Sequence, residues 1–375
     1  MNKIDINHID KSKWATNRFD QIASSISERV EPTNTDLDIY VGLEHLDSDS
    51  IHIQRTGKKN DVEGTKLRVY PGDVIFGRRR AYQRKAAIAT FDGFCSAHAL
   101  VLRANPKVID PKLFPFFLHS DEFMHRAINI SVGSLSPTIN WGTLKHEEFL
   151  LPPKEQQAKI AELLWATDDV IQRLHFLQEC LIKLRMIAVE LSSNGDTTKS
   201  QLSEAIIQKK NVSNSPHSRE KYIGLEHVPS GAYRCMNFGT SESAEANCFE
   251  FDKGDLLYSK LRPYLDKVFI ASFEGVCTTE LIVMNTIDGY LPDYILSIFH
   301  SPSFIAYVNS KSYGTKMPRV SFEIIGNYLA YLPKTDVQIR IVEKINKIQQ
   351  HIDMVSSQVD SSRSIQRRLI NEVFK

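Results

Sequence analysis

The sequence contains one series of blocks twice. YVGLEHL at Tyr40–Leu46 returns as YIGLEHV at Tyr222–Val228, an offset of 182 residues (222 − 40). Two more blocks keep this offset: PGDVIFGRRRAY (71–82) with KGDLLYSKLRPY (253–264), and FDGFCSAHALVL (91–102) with FEGVCTTELIVM (273–284). Similarity that stays in register over this distance indicates one structural unit written twice. The fold must therefore contain two similar bodies.

Each copy ends in a long stretch with a heptad spacing of apolar residues. In the first copy the spacing runs through Ile160, Leu163, Thr167, Val170, Leu174, Leu177, Leu181, Leu184, Ala188 and Leu191. In the second it runs through Ile341, Ile345, Ile348, Ile352, Val355 and Val359, and less regularly through Ile365, Leu369 and Val373. Such spacing is typical of a helix that packs along another helix. We expect two rods of roughly 60 Å that pair antiparallel within the chain; the alternative is that each helix packs only on its neighbouring domain.

The repeat and the two predicted long helices together divide the chain into four segments. We predict domains at 1–153 and 194–334, and helical spacers at 154–193 and 335–375, with Asn194-Gly195 ending the first helix. Each domain is expected to contain a short amphipathic helix, then short strands, then a longer helix and a glycine-led loop; the predicted helices are Phe19–Ser27, Pro111–Ile128, Leu202–Lys209 and Pro292–Asn309. The predicted fold class is α+β: two similar globules joined by two long antiparallel coiled-coil helices with pseudo-two-fold internal symmetry.

Composition narrows the class of protein. Charged residues make up 24% and hydrophobic ones 42% of the chain, as in ordinary soluble domains. No apolar run approaches the roughly 18 residues that span a bilayer, and the first residues lack the apolar core of a signal peptide. We therefore expect a cytoplasmic protein, in which the five cysteines are reduced and mostly buried.

Four common catalytic motifs are absent from the sequence. It contains no G-x-x-x-x-G-K-[ST] phosphate loop, no H-E-x-x-H, no G-x-S-x-G and no N/D-P-P-[FY]. Cys95 and His98 do not form a nucleophile and base in both copies, because His98 is matched by Glu280. Cys95 and Cys277 are therefore predicted to be buried strand residues, and His45 and His227 to make local hydrogen bonds. Asp110 is predicted to cap a turn rather than bind a nuclease metal.

Positive charge is concentrated in one stretch of the first copy. Residues 55–85 contain ten Lys or Arg and three Asp or Glu, although the formal net charge of the whole chain is only +1. Such a run is usually a solvated face, but in one compact patch it is also the electrostatic footprint of a phosphate-binding surface.

The doubled blocks resemble a known family, the specificity (S) subunits of type I restriction-modification enzymes. The resemblance covers nearly the whole chain. It rests on the Leu-Pro start of each rod followed by Gln157 and Ile160 or by Gln338 and Ile341, on the doubled G-D strand blocks, on the G-x-C-[ST] blocks and on the glycine-led loops. It implies two target-recognition domains that each read half of a split double-stranded DNA target, and helices that set the half-site spacing and dock methyltransferase (M) subunits. Restriction (R) subunits would join for cleavage. The resemblance further implies two M subunits, with S-adenosylmethionine bound to them and no cofactor or metal on this chain.

Under this hypothesis two loops of each domain face DNA. Lys and Arg suit phosphates, whereas Arg, Asn and Gln suit base edges. The predicted DNA-binding residues are Arg78, Arg79, Arg80, Tyr82, Gln83, Arg84, Lys85, Ser134, Ser136, Asn140, Lys260, Arg262, Tyr264, Thr315, Lys316 and Arg319. The predicted partner-binding residues are Leu164, Trp165, Ile171, Phe176 and Ile187, which lie off the heptad seam; for Trp165 the alternative is packing on its own globule. The rival function is a non-catalytic two-domain coiled-coil adaptor that binds protein rather than DNA.

Overall fold

A computed structural model describes residues 11–192, 199–214, 219–235, 237–244 and 247–375. The chain divides into two units: unit 1 consists of Met1–Leu174 and Gln358–Lys375, and unit 2 consists of His175–Ser357. Each unit therefore contains one globule and a part of both long helices. The predicted helix stop at Asn194-Gly195 lies outside the described residues.

Unit 1 is built from short strands and helices. Its strands are β1 (Ala15–Arg18), β2 (Ala23–Ile26), β3 (Arg29–Val30), β4 (Ile39–Val41), β5 (Gly57–Lys58), β6 (Lys66–Val69), β7 (Val74–Gly77), β8 (Ala86–Ile88), β9 (Gly93–Cys95), β10 (Ala99–Ala104) and β11 (Glu148–Leu151). Its helices are α1 (Phe19–Ile22), α2 (Phe114–Leu118), α3 (Asp121–Asn129), α4 (Trp141–Leu144) and the first part of α5 (Lys154–Ser192). In its described part the sheets have the orders β1-β11, β2-β10-β7-β8 and β3-β6-β9-β4-β5.

Unit 2 repeats this topology strand for strand. Its strands are β12 (Ser200–Gln201), β13 (Ile206–Lys209), β14 (Val212–Asn214), β15 (Lys221–Ile223), β16 (Gly239–Thr240), β17 (Asn247–Phe251), β18 (Leu256–Ser259), β19 (Val268–Ile270), β20 (Gly275–Thr278), β21 (Leu281–Thr286) and β22 (Leu329–Ala330). Its helices are α6 (Pro292–Phe299), α7 (Pro302–Lys311), α8 (Phe322–Gly326) and the first part of α9 (Thr335–Phe374). The sheet orders are β12-β22, β13-β21-β18-β19 and β14-β17-β20-β15-β16. The predicted class, two similar α+β globules joined by two long helices, is confirmed.

The repeated Gly-Asp pair makes the tight turn before the central strands β7 and β18. Gly72 adopts a positive φ of 92°, which costs glycine little. Asp73 then accepts a hydrogen bond from the backbone N–H of Tyr70 at 3.0 Å and a bidentate pair from Arg103 at 2.7 and 2.9 Å. The buried carboxylate is thus fully satisfied, as a buried charge requires. In unit 2 Asp255 accepts from the backbone N–H of Asp252 at 2.8 Å and from the ammonium group of Lys209, rather than from an arginine, at 2.6 Å.

A glutamine fastens each long helix to its globule. Gln157 accepts from the backbone N–H of Asp110 at 2.6 Å and donates to the carbonyl oxygens of Val108 at 2.9 Å and Pro152 at 2.8 Å. Gln338 repeats the pattern with backbone groups of Leu291, Gly289 and Pro333 at 2.9, 3.1 and 2.8 Å. Both side chains are buried, at 1% and 0% exposure. The repeated glutamine of the Leu-Pro blocks therefore has a structural role.

Helices α5 and α9 pack antiparallel, but only one of the two predicted columns of heptad positions on α5 is packed. In unit 1 Gln366 donates to Thr167, a predicted position, at 3.4 Å, and in unit 2 Arg185 donates to Gln349. In this packed column Ile160 is buried, and Thr167, Leu174, Leu181 and Ala188 are half-buried. The other predicted column is 38 to 70% exposed, namely Leu163, Val170, Leu177, Leu184 and Leu191. Ala161, Leu164, Ile171 and Val189, each one position further along the chain than a predicted residue, are buried instead. On α9 Ile345, Ile352, Val355 and Val359 are buried as predicted, whereas Ile365 is exposed.

The four predicted helices of the globules are all wrong in extent. The helix predicted at Phe19–Ser27 ends at Ile22, and the next residues form β2, which pairs with β10. Likewise Leu202–Lys209 is one 3₁₀ turn followed by β13. In both cases the hydrogen bonds of a sheet neighbour replace those of a continuing helix. The single helix predicted at Pro111–Ile128 is split into α2 and α3, because Ser120 accepts from the backbone N–H of Phe123 at 3.2 Å and so caps a new helix.

The split recurs in unit 2, where the helix predicted at Pro292–Asn309 is divided into α6 and α7. Ser301 accepts from the backbone N–H of Phe304 at 3.2 Å. Ser301 and Ser120 occupy matching positions of the repeat, because a one-residue deletion in the second copy changes the offset to 181 (301 − 120) in this part of the chain. The same capping residue therefore ends the first helix and starts the second in both units.

Several non-catalytic interpretations are confirmed. The ring nitrogen Nδ1 of His45 accepts from the backbone N–H of Gly42 at 3.0 Å, and that of His227 from Gly224 at 2.9 Å. Cys95 is buried in β9, and burial raises the pKa of its thiol far above the usual range, so it is not an activated nucleophile. Asp110 accepts from the backbone N–H of Lys112 at 2.8 Å and so caps the turn before α2.

Candidate nucleic-acid interface

The basic loop after β7 has an unusual backbone that recurs after β18. Arg80 and Arg84 adopt left-handed conformations, with φ of 51° and 52°, on either side of a single 3₁₀ turn. In unit 2 Arg262 and Asp266 do the same at φ of 51° and 49°. A left-handed residue other than glycine costs about 1–2 kcal/mol, and such strain clusters at functional sites. The same strained loop is thus built into both units.

Two loops that are distant in sequence are joined at this point. In unit 1 Arg80 donates its backbone N–H to Pro137 at 2.9 Å, and Ile139 donates to Arg78 at 2.9 Å. In unit 2 Arg262 donates to Pro318 at 2.8 Å, and Val320 to Lys260 at 3.0 Å. We call residues 77–85 with 131–140, and residues 259–267 with 312–321, the paired loops of unit 1 and unit 2. The two surfaces that the sequence suggested separately form one surface in each unit.

Most of the predicted DNA-binding side chains are accessible on the paired loops. Tyr82 and Tyr264 are 57% and 52% exposed. Also exposed are Arg79, Arg80, Ser134, Ser136 and Asn140 in unit 1, and Arg262, Thr315 and Lys316 in unit 2. Arg78, Gln83 and Arg319 are half-buried. Guanidinium groups beside exposed aromatic rings and small polar residues can contact both phosphates and base edges.

Arg84 does not belong to this surface, contrary to the prediction. Its side chain is 12% exposed and donates to Asp49 at 2.7 Å, to Asp121 at 2.8 Å and to the carbonyl oxygen of His119. Burial acts to raise the pKa of Asp121, but the charges of Arg84 and Arg367 outweigh it and lower that pKa. Arg84 therefore stabilises the fold of unit 1 through paired charges.

The prediction that Lys85 and Lys260 bind DNA is also wrong, because their side chains are engaged within the protein. The ammonium group of Lys85 donates to the carbonyl oxygen of Leu43 at 2.7 Å, and that of Lys260 donates to the carbonyl oxygen of Thr279. Burial lowers the pKa of the half-buried Lys260. Both lysines hold neighbouring turns in place instead of projecting toward a ligand.

The structure adds residues that the sequence did not single out. His98 lies near the basic loop of unit 1, where burial, and then the charges of Arg79, Arg78 and Lys66, lower its pKa. At the matching position of unit 2, Glu280 pairs with Arg319 at 3.2 Å. Leu135, at 93% exposure, projects from the glycine-led loop. The only sequence signal for these residues was their position within the repeated blocks.

Three of the five predicted partner-binding residues pack within unit 1, and two are exposed. Leu164 and Ile171 are buried, at 1% and 4% exposure, between α5 and its surroundings in unit 1. Trp165 packs on its own globule, because its indole N–H donates to Lys112 at 2.9 Å and its ring meets Phe116 edge-on at 5.2 Å. Phe176 and Ile187 are 70% and 55% exposed. They share the part of α5 in unit 2 with the exposed Leu177, Leu184 and Leu191.

The described residues contain neither a metal-binding cluster nor a membrane-spanning helix. Among the described residues no group of three or more His, Cys, Asp or Glu side chains is arranged to hold a metal ion. No helix in that part of the chain is both long and apolar enough to cross a bilayer.

Comparison with known proteins relates part of the chain to a family. Residues 27–179 match the family described as type I restriction modification DNA specificity domain. Over 167 residues the chain is 30% identical to the type I restriction enzyme EcoDI specificity subunit of Escherichia coli, covering 43% of this chain and 37% of that protein. This part of the chain is therefore similar to type I restriction-modification specificity domains. It spans little more than a third of the length of that curated relative.

Solved structures resemble the fold over nearly the entire chain. A chain from a structure of the assembly and conformational transition of the type I R-M system has a TM-score of 0.58 at 18% identity, covering 96% of this chain and 97% of that one. The S subunit of the type I restriction-modification system from M. genitalium has a TM-score of 0.52 at 15% identity, covering 100% and 98%. At these identities the likeness shows the fold alone. The comparisons do not favour the adaptor alternative.

Proposed function

We propose that the chain is the DNA-recognition subunit of a type I restriction-modification complex, and that each unit binds one half of a bipartite double-stranded target through its paired loops. The observation that carries this proposal is that the site occurs twice. In both units, exposed arginine and tyrosine side chains lie on paired loops that contain left-handed residues and are joined by backbone hydrogen bonds. A protein that reads two half-sites needs two such surfaces on a fixed scaffold. Arginine binds phosphates and releases counterions, and the exposed tyrosine offers additional contacts to the DNA.

In this proposal the chain performs no chemistry itself. M subunits, with two expected, bind S-adenosylmethionine and transfer the methyl group, and R subunits join the complex for cleavage. Neither subunit type needs a cofactor from this chain. The complex would act on the cell's own DNA, in the cytoplasm.

Alanine at both Arg79 and Arg80 is expected to weaken binding of the full chain to target DNA by about 10-fold or more. Each lost phosphate contact lowers the slope of log affinity against log salt by about 0.9, so the slope should fall by nearly 2. Fluorescence anisotropy at several salt concentrations measures both quantities.

The matched control is the double alanine variant at Lys159 and Arg173, two exposed cations of α5 in unit 1. It removes the same charge from the same unit and should leave the slope almost unchanged. Equal losses for both variants would mean that net charge alone attracts DNA. Unchanged binding of the Arg79 and Arg80 variant would remove this loop from the interface.

The exposed apolar row of α5 in unit 2 is the proposed contact for an M subunit. Phe176, Leu177, Leu184, Ile187 and Leu191 are 45 to 70% exposed, and such patches mark protein interfaces. Aspartate at Phe176 and Ile187 should abolish co-elution with M subunits in size-exclusion chromatography, because it would bury two charges without partners. DNA binding by the chain alone should persist.

The control for that experiment is Lys344→Asp, an exposed position of α9 in the same unit. This variant also introduces a carboxylate but leaves the apolar row of α5 unchanged. Co-elution should survive it. Loss of the complex with Lys344→Asp alone, or survival with the double variant, would contradict docking on the apolar row.

A further inference from the structure

The two units provide an internal comparison, because matched positions share a backbone and differ in side chain. Arg80 matches Arg262 and Tyr82 matches Tyr264, and both arginines have the same left-handed conformation. The two half-sites differ in base sequence but share the sugar-phosphate backbone. Residues that are identical in both units are therefore expected to contact that backbone. Residues that differ at matched positions are then the candidates for reading bases.

The sharpest difference is an ion pair. Thr138 and His98 in unit 1 are replaced by Arg319 and Glu280 in unit 2. Arg319 donates from Nε to Oε2 of Glu280 and from Nη2 to Oε1, both at 3.2 Å. Its backbone is fixed as well, because it exchanges hydrogen bonds with Tyr313 at 2.8 and 3.0 Å. The side chains of Arg319 and Glu280 remain 41% and 34% exposed.

The carboxylate of Glu280 leaves available the two N–H donors of Arg319 that a guanine base would accept from. Arginine has five N–H donors in a plane, and Glu280 takes the pair along the Nε side. The end pair on Nη1 and Nη2 has no other partner among the described residues and remains accessible. Two parallel donors match the O6 and N7 acceptors on the major-groove edge of guanine.

The charge of the pair argues against a phosphate contact. A phosphate approaching Arg319 would also meet the negative Glu280, so the pair as a whole attracts an anion weakly. The edge of a base carries no net charge and meets no such repulsion. Arg262 on the same paired loops is exposed and forms no ion pair with a carboxylate among the residues that the structure describes, so it suits a phosphate better.

We propose that Arg319, oriented by Glu280, reads a guanine in the half-site bound by unit 2, while Arg80 and Arg262 with Tyr82 and Tyr264 hold the DNA backbone in both half-sites. Arg319 is then a specificity-determining residue and Glu280 a positioning residue. This inference rests on the proposed function and assigns the roles within it.

The test is selection of bound sequences from a random DNA pool by the full chain, followed by affinities for the selected DNA. Arg319→Ala should lose the preference for guanine at one position of one half-site, by about 5- to 150-fold, with the other positions unchanged. Arg319→Lys keeps the charge without the planar fork and should lose the same preference. Glu280→Gln should weaken the preference partially. Arg262→Ala should weaken binding to all sequences equally and lower the salt slope by about 1.

A modified base makes the test independent of folding defects. Replacement of the selected guanine by 7-deazaguanine removes the N7 acceptor, so it should weaken binding of the wild type but not of Arg319→Ala. Uniform weakening by Arg319→Ala, rescue by Arg319→Lys, or equal sensitivity of wild type and Arg319→Ala to 7-deazaguanine would overturn this inference and leave the proposed function intact. A wild-type chain that selects no sequence would overturn the proposed function itself, and the inference with it.

Discussion

Replacing Phe374 with alanine is expected to lower the free energy of unfolding of unit 1 by about 3–5 kcal/mol. Phe374, at the end of α9, is 4% exposed, and its ring meets that of Phe117 edge-on at 5.2 Å. Val373 and Ile370 beside it are buried in the same core. The substitution removes apolar contacts and leaves a cavity inside a cluster of aromatic rings, which cannot collapse easily because cores are close-packed.

Tryptophan fluorescence during urea unfolding reports on this change selectively. The three tryptophans of the chain, Trp14, Trp141 and Trp165, all belong to unit 1. Ile365→Ala is the matched control, since Ile365 lies on the same helix in the same unit but is 58% exposed. That variant should change stability by no more than about 0.5 kcal/mol. Equal unfolding midpoints for Phe374→Ala and wild type would show that the last turn of α9 contributes nothing to the core of unit 1.

The repeat made the fold class predictable, since matched blocks such as Asp73 and Asp255 were expected at matched turns and occupy them. The packing face of α5 was not predictable by the same means. Leucines at Leu163 and Leu164 are adjacent in the sequence, yet one is 38% exposed and the other 1%. A helix with apolar residues on more than one face fits several seams, and only the globule that it also covers selects among them.

Sequence reasoning placed several arginines on the surface, where the structure also has them, but it could not show which arginines are held in ion pairs. Arg80 and Arg84 stand in the same basic run, but Arg84 is bound by Asp49 and Asp121, which lie 35 and 37 residues away in sequence. Long-range ion pairs leave no local pattern. The joining of the two loops likewise depends on a backbone bridge between Arg79 and Thr138. The pair of Arg319 and Glu280 became visible only when the folded units placed them together.

Replacing Gln157 with methionine is expected to destabilise unit 1 by about 3–5 kcal/mol, although the two side chains have nearly the same shape. The variant leaves the backbone N–H of Asp110 and the carbonyl oxygens of Val108 and Pro152 without the partner that they have now. Each buried polar group that loses its partner costs about 1–3 kcal/mol. Lys159→Met, at an exposed position half a turn away, is the control and should be nearly neutral in the same fluorescence experiment.

Gln157→Glu tests the same contacts through pH. A carboxylate at this buried position would face two carbonyl oxygens that now accept from the Gln157 amide, so only the protonated acid, which can donate, fits there. The pKa of the new carboxyl group should therefore be raised in the folded state, and the loss of stability should grow as pH rises above about 4.3, the usual pKa of glutamate. Unfolding free energies at pH 4 and pH 7, each compared with wild type at the same pH, measure this. A penalty independent of pH would mean that the carboxylate turns to solvent and that the glutamine does not fasten α5 to its globule.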